Sequence, residues 1–407
     1  MAGRARGMSR ARSGAAVLLT VSLSLMLAAG CGGEPKKKAD PEASPTPTSA
    51  SPSPTIPVAD PEHAVDPPGP FAGALVRADI LIYASESLSV DVVHRINRLK
   101  GVAYSEQLSL ASVSVENRVL TVGAVDPATY RRFTPSGQQE EIWTRIAGGE
   151  LGLPKRLKSI EQEDAFVQLG SDKTAPEVHV GAYAEQAYGV DMVVNQKWGE
   201  ELEKVGMVPG NALLINTGIA APLSMRKPIQ KIIGKKASVQ MLDSVARFGL
   251  DPDAPQTAIP TGGSVASAVG VFSYRLIGGR VVPSSAWVAA NIRTEEVPIL
   301  GRLTCNKIMF PQLRAALREV QERGLASKVY QTAGCYNSRF IAGTTSLSNH
   351  AFGIAIDINS VQNQRGTVGQ MDRTVVSIFE KWGFGWGGHW RYTDPMHFEM
   401  NALVSAG

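Results

Sequence analysis

The clearest alternation of hydrophobic and polar positions lies near the C-terminus, at residues 354–359. Three isoleucines alternate there with smaller or polar residues, among them Asp357, and a period of two predicts a β-strand. The isoleucines would face a core, so Asp357 would point toward a cleft on the opposite side. His350 comes seven residues earlier, and Gly353 permits a sharp turn that would fold His350 back beside Asp357.

A second short strand is predicted at residues 396–400. Within it His397 and Glu399 would point to one side and Phe398 to the other. The proline before this strand favours an extended conformation in Asp394, which places that carboxylate at the mouth of the strand. Asp394 is therefore expected close to His397, although an Asp-Pro pair also occurs in turns that have no catalytic role.

His350, Asp357 and His397 together form a usual ligand set of a catalytic zinc site, with a fourth position left for water. One Zn²⁺ ion held by these three side chains is therefore predicted. Such an ion would make its water acidic enough to supply hydroxide near neutral pH. A carboxylate that is not a ligand is then needed as general base, and Asp394 is predicted to fill this role.

Three motifs follow one another in this part of the chain. They are Ser-x-His-x-x-Gly-x-Ala-x-Asp at residues 348–357, Trp-Gly-Gly at 386–388 and Asp-Pro-Met-His-Phe at 394–398. In this combination the segment resembles the M15 family of zinc peptidases, over roughly residues 294–402. That family includes D-alanyl-D-alanine carboxypeptidases of the VanY type and phage L-alanyl-D-glutamate endolysins. The resemblance implies the same metal ligands and the same base.

The resemblance also implies roles for residues around the metal. Arg339 matches the arginine that stabilises the carbonyl oxygen of the substrate in the transition state; the alternative is a surface ion pair. Ser346 and Ser348 match positions that line the substrate pocket. His389 departs from the family pattern after Trp-Gly-Gly, and it either contacts substrate or caps a turn. Trp386 is predicted among the substrate-binding residues with Ser346, Ser348 and His389, as part of the core and the wall of the cleft rather than as a platform for a sugar.

The first 31 residues predict a targeting segment rather than part of the fold. Four arginines precede an apolar stretch at residues 15–29, which is too short for a membrane span, and a run of small residues ends at Cys31. This pattern is typical of a bacterial lipobox, in which lipidated Cys31 anchors the protein to the membrane facing the cell wall; the alternative is simple secretion. Residues 32–70, rich in Pro, Ser and Thr, predict a disordered tether on the order of 100 Å long when extended.

Residues 71–218 predict an α+β, sandwich-like domain. Its predicted elements are a strand at 79–83, a helix around 90–97, a hairpin of 111–115 with 118–125 about Glu116 and Asn117, and strands at 191–195 and 212–217. With Trp198 and a Pro-Gly turn, residues 189–215 resemble the extracellular domain of MacB-type or FtsX-like permeases. That resemblance implies a membrane-protein partner for residues 71–218.

Residues 219–285 are assigned as a connecting region, with a lysine-bearing helix expected at 226–242 and a strand at 265–275. Residues 286–407 predict the peptidase domain, an α+β fold with a small antiparallel sheet and flanking helices. Its predicted elements are a helix at 310–324, a strand at 328–333 and a helix that begins at Asp372. Cys305 and Cys335 are the remaining cysteines once Cys31 is lipidated, and in an exported chain they predict a disulfide. Zinc ligation by thiolates is the alternative, which a complete ligand set makes unnecessary.

Composition adds little to this picture. The formal net charge of +4 is small for 407 residues, so nothing predicts nucleic acid as a partner. The leading hypothesis is an exported, lipid-anchored zinc peptidase that acts on peptidoglycan stem peptides, as a carboxypeptidase or an endopeptidase. The alternative is a non-catalytic, wall-binding or transporter-associated lipoprotein with a vestigial zinc site. The completeness of the site favours the enzyme.

Overall fold

The computed structural model describes residues 59–405. The targeting segment with Cys31 and most of the predicted tether lie outside the described residues. The α-helices are Val90–Asn97 (α1), Pro127–Tyr130 (α2), Glu140–Ala147 (α3), Gln196–Glu203 (α4), Pro222–Ile233 (α5), Leu242–Phe248 (α6), Ser264–Val269 (α7), Ser285–Asn291 (α8), Phe310–Glu322 (α9) and Arg373–Lys381 (α10).

The strands run from the first buried apolar segment almost to the C-terminus. They are Ile80–Ala84 (β1), Tyr104–Val115 (β2), Arg118–Val125 (β3), Leu151–Leu153 (β4), Phe166–Gln168 (β5), Glu177–Tyr183 (β6), Met192–Asn195 (β7), Ala212–Asn216 (β8), Ala237–Met241 (β9), Gln256–Ala258 (β10), Pro260–Thr261 (β11), Phe272–Ile277 (β12), Arg280–Pro283 (β13), Ile292–Val297 (β14), Gly301–Asn306 (β15), Thr332–Gly334 (β16), Ala355–Ile358 (β17), Phe384–Trp386 (β18) and His397–Met400 (β19).

A large mixed sheet dominates the first half of the described chain. Its strands follow the order β5-β6-β4-β7-β3-β2-β8-β1-β9, and β11 pairs with β2 off this path. The central strand β1 is apolar on both faces: Ile80 packs against α1 and α5, while Leu81 packs on the opposite side with Trp143 of α3. This burial explains why β1 reads as a continuous hydrophobic run rather than an alternating one.

Several predicted elements of this region are confirmed. β2 and β3 form the predicted hairpin, with Val115 opposite Arg118 at its end, and β7 and β8 join the same sheet.

The sheet also recruits β9 and β11 from beyond residue 218. The helix predicted at 226–242 therefore ends at Ile233, and its second half is the buried strand β9. The strand predicted at 265–275 begins instead with helix α7, because short apolar runs do not distinguish helix from strand by period alone.

The predicted tether is too long at its C-terminal end, because residues 60–70 pack against the large sheet and its helices. The guanidinium of Arg131 donates hydrogen bonds to the carbonyl oxygens of Gly69 (3.0 Å) and Pro70 (3.1 Å). The ring of His63 stacks on Trp198 with centroids 3.6 Å apart. A proline-rich segment buries little apolar area, but its free carbonyls are acceptors that an arginine can bind.

The C-terminal part has the predicted α+β fold, with a four-stranded antiparallel sheet in the order β16-β17-β19-β18. Helices α9 and α10 pack on this sheet, and Phe379 of α10 lies 4.7 Å from Phe398 between ring centroids. The predicted disulfide between Cys305 and Cys335 is present, with Cα atoms 5.3 Å apart. Asp372 caps α10 as predicted, since its side chain accepts from Thr374 N. Across residues 59–405 we find no helix with the length and apolar character needed to span a membrane.

Candidate metal centre

The core of the site is a cross-strand pair. β17 and β19 run antiparallel with Asp357 directly opposite His397, and opposed residues project their side chains from the same face of a sheet. Nδ1 of His397 consequently lies 3.1 Å from Oδ1 of Asp357. Both side chains are largely buried, with His397 exposed by only 1% and Asp357 by 13%.

His350 reaches this pair from a short 3₁₀-helix, Asn349–Phe352, that directly precedes β17. Gly353 ends the helix with a left-handed φ of 69° and leaves no room for a side chain, because a Cβ there would lie 2.7 Å from Asn306 N. The predicted turn is thus confirmed. Nε2 of His350 lies 3.3 Å from Oδ1 of Asp357, and one ligand atom from each of the three residues falls within 4.8 Å of the others.

The hydrogen bonds on the outer side of each imidazole fix its tautomer. Nδ1 of His350 contacts the carbonyl oxygen of Cys335 (2.7 Å), and Nε2 of His397 contacts the carboxylate of Glu399 (3.0 Å). Both partners can only accept, so each of these nitrogens must carry hydrogen. In the neutral rings, Nε2 of His350 and Nδ1 of His397 then present lone pairs to Asp357.

Two lone pairs facing one carboxylate repel unless a cation lies among them. Nε2 of His350 is buried and has no hydrogen-bond partner among residues 59–405. Two imidazole nitrogens and one carboxylate oxygen are also the donor set that zinc prefers, and histidine ligands usually donate their other N–H to a carbonyl or a carboxylate. The residues present therefore fit a zinc ion.

The electrostatics of the cluster favour positive charge at its centre. Burial alone would raise the pKa of Asp357, but the neighbouring imidazoles of His350 and His397 outweigh it and hold that pKa well below its usual value. Burial alone would lower the pKa of His397, but Asp357 and Glu399 outweigh it and raise that pKa to about 9. The negative charges of Asp357 and Glu399, which stabilise the protonated form of His397, would equally stabilise a divalent cation at this position.

Asp394 lies beside the cluster, as predicted, and is only 4% exposed. Its Oδ1 atom is buried and has no hydrogen-bond partner within the described chain. Burial raises the pKa of Asp394, the charge of Asp357 adds to the rise, and His397 opposes it. A side chain at Gly387 would collide with the carbonyl oxygen of Asp394 at 2.5 Å, which explains a glycine directly after Trp386.

The other residues suggested by the resemblance lie around the three-residue cluster and not within it. Arg339 is half-buried, and its main-chain oxygen accepts from Ser348 N at 3.2 Å, so its backbone is joined to the His350 segment. Ser346 is half-buried and lines a cavity of about 830 Å³ rather than the cluster itself. Ser348 is completely buried, and its hydroxyl accepts from His350 N at 3.3 Å. It supports the histidine and does not line an open pocket.

His389 and Trp386 are not among the residues that the structure brings into the cluster. His389 is exposed and contacts Glu380 at 3.0 Å, and it lines a cavity of about 610 Å³ together with Trp390 and Glu399. Trp386 is buried in the core, where its indole N–H donates to the carbonyl oxygen of Pro395 at 2.8 Å. With only 4% of its surface exposed, Trp386 lies in the core and does not form part of an open substrate-binding wall.

Residues 342–400 match the family model Peptidase_M15_4, described as D-alanyl-D-alanine carboxypeptidase. The chain carries an M15-family peptidase domain. The match spans the three residues of the cluster and Asp394, and it begins three residues after Arg339. M15 peptidases are zinc enzymes, which agrees with the donor set of the cluster. No curated protein shows significant similarity to the chain.

Two residues that support the cluster were not predicted to act at the site, and one of them, Asn117, lies outside the family match. Glu399 was predicted to point to the same side as His397 but was given no part in the site, although this shared strand face was a usable signal. Asn117 contacts the His350 segment from more than 200 residues away in sequence, and nothing in the sequence pattern indicates this contact.

Proposed function

We propose that the protein is an exported zinc peptidase that hydrolyses peptide bonds in the stem peptides of peptidoglycan. The observation that carries this proposal is the buried cluster of His350, Asp357 and His397, whose ligand atoms lie within 4.8 Å of one another inside the M15 match. Anchorage through lipidated Cys31 would hold the enzyme at the outer face of the membrane, next to the cell wall.

The chemistry can be assigned to residues of this chain. Zinc, when bound, would act as a Lewis acid and lower the pKa of a water molecule. Asp394, with an unpartnered Oδ1 beside the cluster, would accept the proton of the attacking water and deliver it to the leaving amine. Arg339 would donate hydrogen bonds to the carbonyl oxygen as negative charge develops there.

Of the two bond types considered, we favour the bond before a C-terminal D-alanine. The description of the matching family supports this choice over an internal cut between L-alanine and D-glutamate. A substrate with a free C-terminal carboxylate also needs a cation near the scissile bond. Burial raises the pKa of Asp394, and the charge of Arg365 is among those that oppose this rise, so Arg365 lies close to the site. Its Nε atom has no hydrogen-bond partner in residues 59–405.

The test uses purified muropeptides with pentapeptide stems, incubated with the full mature protein and analysed by mass spectrometry. We expect loss of one terminal alanine, abolition by a chelator and recovery when zinc is returned. His350→Ala should be inactive. His94→Ala, an exposed histidine on α1, is the matched control and should retain activity. Product release that neither the chelator nor His350→Ala reduces would overturn the zinc mechanism. Zinc binding without product from any muropeptide would favour the non-catalytic alternative.

A further inference from the structure

The turn between β2 and β3 inserts against the peptidase domain. Asn117 lies in this turn and is only 6% exposed, whereas residues at hairpin tips are usually solvated. Glu116 beside it has a left-handed φ of 49°, a conformation that costs a residue other than glycine some energy and needs support from its surroundings. The burial of a polar turn suggests that its side chains have specific partners.

The amide oxygen of Asn117 accepts two hydrogen bonds from the segment that carries His350. Its donors are the hydroxyl of Ser348 (2.8 Å) and the main-chain N–H of Asn349 (3.1 Å). Ser348 in turn caps the 3₁₀-helix by accepting from His350 N. Buried hydrogen bonds thus connect Asn117 to Ser348 and Asn349, the two residues that directly precede His350.

A second path leads from the same hairpin to the other histidine. The side-chain amide of Asn349 donates to the hydroxyl of Ser114 in β2 (2.8 Å) and to Glu399 (2.9 Å). Glu399 accepts from Nε2 of His397. Asn349 therefore joins the hairpin to the carboxylate that fixes the tautomer of His397.

We propose that Asn117 is a positioning residue of the metal centre, so that the large sheet is part of the peptidase's working unit and not only its carrier. If Asn117 is truncated, the Ser348 hydroxyl and the Asn349 N–H are left buried without an acceptor. The His350 segment then loses its fixed orientation toward Asp357. This inference rests on the proposed zinc site and extends it to residues outside the M15 match.

The experiment compares zinc affinity, kcat and KM in variants of the full mature protein. Asn117→Ala should weaken zinc binding roughly tenfold, the lower end of what loss of an outer-shell partner causes, and should lower kcat more than KM. Asn117→Asp keeps both acceptor bonds and should bind zinc within about threefold of wild type. Affinity is measured by competition with a chromophoric chelator, which does not depend on turnover.

Asn211→Ala provides the matched control. Asn211 is fully buried in the large sheet, where its Oδ1 accepts from Leu110 N at 2.8 Å, and none of its hydrogen bonds involves the peptidase domain. This variant should lower the melting temperature and leave zinc affinity unchanged. If Asn117→Ala does not fold, Ser114→Ala tests the second path with a smaller change and should weaken zinc binding severalfold.

The outcomes separate this inference from the proposed function. If Asn117→Ala binds zinc as tightly as wild type, the inference is overturned and the peptidase proposal stays intact. If Asn117→Ala does not fold, wild-type zinc affinity in Ser114→Ala has the same meaning. Equal losses of affinity in Asn117→Ala and Asn211→Ala would also overturn it, because they would indicate general destabilisation. A wild-type protein that binds zinc without hydrolysing stem peptides would refute the proposed function alone. A wild-type protein that binds no zinc would overturn both.

Discussion

Glu399 accepts a hydrogen bond from Nε2 of His397 across 3.0 Å, from two positions further along the same strand. This bond keeps hydrogen on Nε2 and directs the lone pair of Nδ1 toward Asp357. The same carboxylate accepts from Asn349, so it links the two histidine-bearing segments. Replacement of Glu399 should therefore affect metal binding more than it affects the fold.

For Glu399→Ala we expect zinc affinity to fall by about 10–100-fold, as for other outer-shell partners of histidine ligands. Glu399→Gln should lose less, since its amide oxygen can still accept from His397. The measurement is competition with a chelator. Glu322→Ala, an exposed glutamate at the end of α9, is the control, and an effect of similar size there would contradict the role given to Glu399.

Asp394→Asn should separate zinc binding from turnover. Asparagine has nearly the same shape but cannot take a proton from water, so kcat should fall by about 10²–10⁴-fold while zinc affinity stays close to wild type. Asp253→Asn, an exposed aspartate in a loop, serves as the control. Full activity of Asp394→Asn would identify another group as the base.

Removal of zinc should lower the thermal stability of the protein. A ligand that binds only the folded state stabilises it by about 2.7 kcal/mol at a free concentration of one hundred times Kd. Scanning calorimetry with and without a chelator should detect this shift in wild type. Asp357→Ala should show no zinc-dependent shift, and a shift of wild-type size in that variant would place the metal elsewhere.

Loss of the disulfide should destabilise the fold without removing the metal ligands. The bridge joins residues 30 positions apart, and a loop of this length corresponds to about 3–4 kcal/mol in the chain-entropy model. In the double variant Cys305→Ser/Cys335→Ser, the free energy of unfolding should fall by this amount, so the variant should unfold at a lower denaturant concentration. Wild-type protein under reducing conditions should behave alike, and an unchanged unfolding midpoint in both would refute the expectation.

Acid stability should depend on Glu319, which joins α9 to α10. Hydrogen bonds from Lys381 and Trp382, each 2.8 Å long, lower its pKa from 4.5 to about 2. Because the folded-state pKa lies below the unfolded one, the stabilisation is complete above pH 4.5 and is lost as the pH falls toward 2.

Glu319→Gln is the variant that tests this pH dependence. Its free energy of unfolding should lie below that of wild type by roughly 1–2 kcal/mol near neutral pH, since the basic partners are partly exposed and screened. The difference should shrink below pH 4.5. A difference that is constant from neutral pH down to about pH 2 would show that packing and not charge is responsible.

The sequence by itself determined the local elements and the chemistry of the centre. The isoleucine alternation predicted β17, and the spacing of His350, Gly353 and Asp357 predicted the turn. The position of Asp394 before His397 predicted a carboxylate at the mouth of β19. These features follow from side-chain period and from the backbone freedom of one glycine, which act over a few residues and can be read in order along the chain.

Only the tertiary structure decided which distant residues meet. The register of β17 against β19 sets Asp357 opposite His397, and the packing of the β2–β3 turn brings Asn117 to Ser348. The recruitment of β9 into the large sheet, against its helix-like spacing, has the same origin. Burial and hydrogen bonding between segments far apart in sequence outweigh local preference there. The ligand set predicted that Asp357 and His397 share a metal, but nothing in the sequence specified their strand register, the contact of Asn117 with Ser348 or the strand at β9.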